Sequence, residues 1–177
     1  MYPAGTRRGE LKTVRDLLAS KDLDKLFGSR TPRYREQFRK IAEHEDILDS
    51  DLGDRDVHNK LLASQARAWN WMGFFLTVFW AAYWRLPTAW VVVGLIIVID
   101  ITAQLTGFEI GATLGIAVGV IFGILGNSLL LREVVRSAYK GTLTQYTPSL
   151  PLAFLPLAVI LLEVAVSLMI FKPELFA

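Results

Sequence analysis

Two carboxylates could do chemistry in this chain, because each stands where ionisation is hard. Asp100 and Glu163 lie inside long apolar runs, and no Lys, Arg or His in those runs can offset their charge. Counting 1.5 Å per residue, Asp100 lies about 6 Å and Glu163 about 4 to 5 Å past the centre of its run, on the same side. Two acids at matching depth could share a proton or hold a cation. The alternative is that each is protonated and bonded locally, Asp100 to Gln104 and Glu163 to Ser167, or to a backbone carbonyl. Asn127, in the middle run, is a further intramembrane polar group and lies nearer the opposite face.

Other chemistry is poorly served. With no Cys, the chain has no thiolate nucleophile, disulfide or Cys-ligated zinc. Ser128 and Ser167 have no His beside them in the hydrophobic half, so no base and nucleophile pair exists at membrane depth. His44, Glu45 and Asp46, with His58 downstream, have metal-ligating chemistry, but adjacent residues on a helix point in different directions. The Asp-rich stretch around Gly53 lacks the order of a calcium loop, so helix capping and solvation are the expected role of its acids. The sequence therefore points away from an enzyme and calls for no metal or cofactor.

A third pattern concerns packing. Gly111, Gly115, Gly119 and Gly123 recur every four residues, followed by Gly126. Gly costs about 1 kcal/mol relative to Ala inside a helix, so a stack on one face implies close approach of another backbone. That backbone could belong to this chain, to a second copy or to another subunit.

The elements that position these residues divide the chain in two. Residues 1–68 hold 14 of the 19 basic and 12 of the 17 acidic residues; the rest is dominated by apolar side chains and Gly. The near-balance of charge in the first part excludes a nucleic-acid footprint. Within it, helices are expected over 10–19, over 22–27, from the Thr31 N-cap and Pro32 onward, and from Val57 to Arg67. So short a segment should need the membrane surface or a partner for full stability. No apolar core precedes a cleavage site near the N-terminus, so a cleaved signal peptide is not expected.

Residues 86–106, 110–131 and 149–171 are each long enough to cross about 30 Å of hydrocarbon. Residues 69–85 are shorter and carry Trp69, Trp71, Trp80 and Trp84, with Trp90 close behind. Such rings favour the headgroup boundary, so these five are expected interface anchors. If 69–85 does not cross, 18 of the 19 basic residues share one side, which the positive-inside bias favours. The expected fold is an all-α membrane protein. Its 1–68 segment is cytoplasmic and built of amphipathic helices, its 69–85 helix is aromatic and interfacial or re-entrant, and 86–177 form a domain of three transmembrane helices.

The run Trp69-Asn70-Trp71, then Phe74-Phe75, Trp80 and Tyr83-Trp84-Arg85, resembles a family of small bacterial inner-membrane proteins known as domain of unknown function 2628. Gly126-Asn127, Leu131-Arg132 and Arg136 extend the resemblance, which covers roughly residues 65–140. It implies a multi-pass protein of the bacterial inner membrane and no particular activity. The expected function is a non-enzymatic membrane subunit or accessory factor of a larger complex. Its partners would be the lipid bilayer and other membrane subunits, and not nucleic acid. The alternative is a small transport or proton- or cation-conducting protein using Asp100 and Glu163.

Overall fold

The computed structural model describes residues 11–64, 69–107 and 111–171. Eight helices carry the described chain: α1 (Val14–Ala19), α2 (Lys21–Phe27), α3 (Thr31–His44), α4 (Arg55–Ala63), α5 (Trp71–Tyr83), α6 (Thr88–Thr106), α7 (Gly111–Tyr139) and α8 (Leu150–Phe171). They gather into two units, one of Met1–Asn70 with Ile124–Pro148, the other of Trp71–Gly123 with Ser149–Ala177.

The first unit is fixed by caps and a small core. Thr13 and Asp16 form a reciprocal capping box at the start of α1. The helix therefore begins at Val14 and leaves out Leu11, which the apolar spacing had included. Arg35, on α3, donates to the carbonyls of Leu18 (2.6 Å) and Ser20 (3.0 Å) and so satisfies the end of α1. Arg15 and Asp49 pair through two bonds of 2.6 and 2.9 Å. Thr31 is not an N-cap: a 3-10 turn over Gly28–Arg30 runs straight into α3, and the Thr31 hydroxyl instead donates to the Gly28 carbonyl at 2.7 Å.

Helix α3 stops at His44 because Asp46 turns left-handed (φ 51°), with Ile47 N–H bonding back to the Ala42 carbonyl. Asp54 then caps α4 by accepting from Asp56 N–H, and Asp51 accepts from Gly53 N–H. These are the capping roles expected of the Asp run. Val14, Leu17, Phe38, Ile41, Ile47, Leu52, Val57 and Leu61 are all buried to within 1 %. Each such side chain contributes about 1.5–3 kcal/mol over an exposed one.

Helix α7 departs from expectation. The middle span was expected to end at Leu131 and give way to a loop, yet the helix runs on to Tyr139. Its tail carries Leu130, Leu131, Val134 and Val135, all fully buried, and Leu143 follows at 5 % exposure. The apolar spacing continues past Arg132, so burial rather than hydropathy decides where the helix stops. Residues 124–148 thus group with the N-terminal segment. A left-handed Gly141 (φ 69°) closes the tail, with Thr142 N–H bonding to the Ser137 carbonyl.

In the second unit, α5 packs against α6 and α8, which also touch each other. α6, α7 and α8 are each long and apolar enough to cross a membrane. α5 is not, at 13 residues and about 20 Å. It is also broken at Thr77, whose φ of 36° and ψ of −106° are non-helical. Left-handed Arg85 (φ 53°) ends it, with Leu86 N–H reaching the Ala81 carbonyl at 2.8 Å.

Candidate functional site

The membrane acids are each held by the next turn of their own helix. Gln104 donates to Asp100 Oδ2 at 2.6 Å on α6, and the Ser167 hydroxyl donates to Glu163 Oε1 at 2.8 Å on α8. These are the local bonds expected from the one-turn spacing, and each described bond closes within one helix. The two differ in surroundings. Ser167 is buried (7 %) and its bond with Glu163 is half-buried, whereas the Asp100–Gln104 bond is exposed. On the same face of α6, Ala89 and Val93 are buried to within 3 %. That face enters the chain's interior at one end and leaves it at Gln104. Asn127 is buried (2 %) on the part of α7 that belongs to the first unit.

The glycines do not act as one uniform seam. At Gly119 a Cβ would meet the Phe74 carbonyl oxygen at 3.0 Å, so the aromatic helix approaches α7 at this point. Gly123 and Gly126 are also buried. Gly115 is exposed, and a Cβ there would meet nothing within 4 Å. Gly111 opens α7, and its surroundings lie outside the described residues. The close approach is thus within the chain at Gly119, while Gly115 presents an open face.

The tryptophans divide similarly. Trp71 and Trp90 are exposed (57 % and 44 %), as a boundary anchor requires. Trp69 is half-buried. Trp80, on α5, and Trp84, just after it, are only 4 % exposed and are interior packing residues. Trp71 stacks on Phe75 at 5.9 Å, and Tyr83 meets Trp84 edge-on at 5.2 Å.

In the first unit, His58 lies near the tail of α7. Burial first, then the charges of Arg132 and Arg136, hold its imidazole below the ordinary value, with Glu133 and Asp54 opposing. Tyr139 lies against Gly53, where a Cβ would come within 2.5 Å of the ring. The stretch from Gly53 to His58 therefore lies beside the α7 face that carries Tyr139, Arg136 and Arg132. His44 is exposed and 3.9 Å from Glu45, and no group of three or more His, Cys, Asp or Glu able to hold a metal occurs among the described residues. Sequence reasoning missed the interior part of this α7 face, where Ser128 precedes Arg132 by one turn. The spacing is visible in the sequence, but a span that ends at Leu131 leaves Arg132 outside the helix.

Fold and site together define an all-α membrane protein with three apolar helices of spanning length and a short, broken aromatic helix. The chain belongs to the family described as protein of unknown function (DUF2628), whose family model matches residues 27–136. The match takes in α3 and α4, which the resemblance over 65–140 had left outside. No curated protein and no solved structure matches the chain.

Proposed function

We propose that this protein is a non-enzymatic subunit or accessory factor of a larger complex in the bacterial inner membrane, with its N-terminal unit in the cytoplasm. The observation that carries the reading is the exposed Asp100–Gln104 pair, on a helix face whose other end is buried. A polar pair facing hydrocarbon is costly, and membrane proteins turn such groups towards protein. A second polypeptide against this face would remove that cost, and open Gly115 would let a helix approach closely. The side of the membrane follows from charge: 18 of the 19 basic residues would lie on the cytoplasmic side.

Conduction through Asp100 and Glu163 draws less support, since each acid is satisfied one turn away on its own helix. Conservative and apolar replacements separate the two. As a subunit, the protein should assemble normally with Asp100→Asn and Glu163→Gln, and lose assembly with Asp100→Leu, read by native electrophoresis of membrane extracts. Variants with Asn and Gln that assemble but abolish proton flux in liposomes would overturn the subunit reading in favour of conduction.

A further inference from the structure

Arg132 is the first charged residue after Gly111 in α7. The 111–131 stretch covers about 31 Å at 1.5 Å per residue, which matches the hydrocarbon of a bilayer. Arg132 therefore lies at the level of headgroup phosphates. Ser128 stands one turn earlier on the same face.

Both residues bury donors that the chain does not use. Ser128 is 1 % exposed and its Oγ is buried without a hydrogen-bond partner; Arg132 Nε is likewise buried and unpartnered. The hydroxyls of α6 behave otherwise. Thr102 and Thr106 donate to carbonyls four residues back, at 2.7 and 2.8 Å, the ordinary resolution for a hydroxyl on an apolar helix. Arg136 has Glu133 at 3.9 Å, whereas Arg132 forms no ion pair among the described residues. A guanidinium with a buried, unused donor is costly unless an anion completes it.

We propose that Ser128 and Arg132 form a binding site for a phosphate oxyanion, supplied by the headgroup of an anionic phospholipid. The planar fork of Arg suits phosphate geometry, and the Ser hydroxyl adds a donor beside it. The depth of Arg132 places this pair where lipid phosphates are concentrated. His58 borders the same face of α7. Burial first, and then the charges of Arg132 and Arg136, hold its imidazole below the ordinary value, which disfavours a further positive charge on this face.

The test uses the full-length protein in detergent, with phosphatidylglycerol, phosphatidylcholine or inorganic phosphate added in separate arms. Native mass spectrometry reads retained lipid, and thermal melting reads stabilisation. Phosphatidylglycerol should be retained in preference to phosphatidylcholine and should raise the melting temperature. Arg132→Gln should weaken its binding about tenfold and Ser128→Ala about threefold, while exposed Lys140→Gln changes it less than about twofold. Should Arg132→Gln fail to fold, Arg132→Lys, which keeps the charge but loses the fork, should still weaken binding. Equal binding by the Arg132 and Lys140 variants would overturn the site. Stabilisation by inorganic phosphate equal to that by phosphatidylglycerol would overturn the lipid as its source.

Discussion

The backbone N–H of Ser149 donates to the carbonyl of Tyr83 at 2.9 Å, tying the end of the aromatic helix to the start of the last membrane helix. At its other end, α5 follows directly from Asn70, which belongs to the same unit as Pro148. In the three-span arrangement proposed above, both ends of α5 lie on one side of the membrane. α6 and α7 can then cross and return between Trp71 and Pro148 without a fourth span.

This relationship makes topology testable. In cells carrying single Cys substitutions, Arg85→Cys and Lys140→Cys should be protected from a membrane-impermeant thiol reagent, and Gly107→Cys should be labelled. Labelling at both Arg85 and Lys140, with Gly107→Cys and a Lys60→Cys before the aromatic helix protected, would mean that α5 crosses.

The break in α5 gives a second expectation. Thr77 occupies a backbone region that glycine enters freely and a β-branched residue does not. Thr77→Gly should therefore raise the melting temperature in detergent, by relief of about 1–3 kcal/mol of backbone strain. Thr77→Pro, which requires φ near −65°, should destabilise the protein. A helix-favouring Thr77→Ala more stable than Thr77→Gly would show that α5 is continuous.

Gly119 and Gly115 should respond differently to the same change. Gly119→Leu must displace the Phe74 carbonyl and should cost about 1–3 kcal/mol of stability. Gly115→Leu meets open space and should leave the isolated chain's melting temperature unchanged, while weakening association if a partner helix approaches there. Equal loss of stability at both positions would mean that Gly115 is packed within the chain.

Much of this was readable beforehand, for identifiable reasons. Spans of 19 to 22 residues follow from hydropathy, and the local bonds of Asp100 and Glu163 follow from one-turn spacing to Gln104 and Ser167. The Asp run announced caps because a short carboxylate competes for backbone N–H groups wherever a helix starts. What sequence could not give was long-range. Whether Gly119 or Gly115 meets a backbone depends on where α5 lies, and the interior place of Trp80 depends on its neighbours. The continuation of α7 past Arg132 depends on a core whose other half lies some 80 residues earlier, at Leu52, Val57 and Leu61.

His58 sets a pH dependence. Its folded-state pKa is depressed by burial and by Arg132 and Arg136, so the unfolded chain binds the proton more tightly. Its contribution to stability is complete above the ordinary value of about 6.5 and is lost as pH falls through the depressed folded value. The parent should therefore lose more melting temperature between pH 7 and pH 5 than His58→Gln does. Parallel curves for the two would remove His58 from the account.

The central claim, that another membrane protein covers the Asp100 face, is tested most directly by photo-crosslinking in intact cells. A photoreactive residue placed at Gln104 should give a single protein adduct of defined mass, abolished by Asp100→Leu and retained by Asp100→Asn. The same residue at exposed Val98, about 120° around α6 from Gln104, should give none. Lipid adducts alone at Gln104, with the same yield at Val98, would contradict the account.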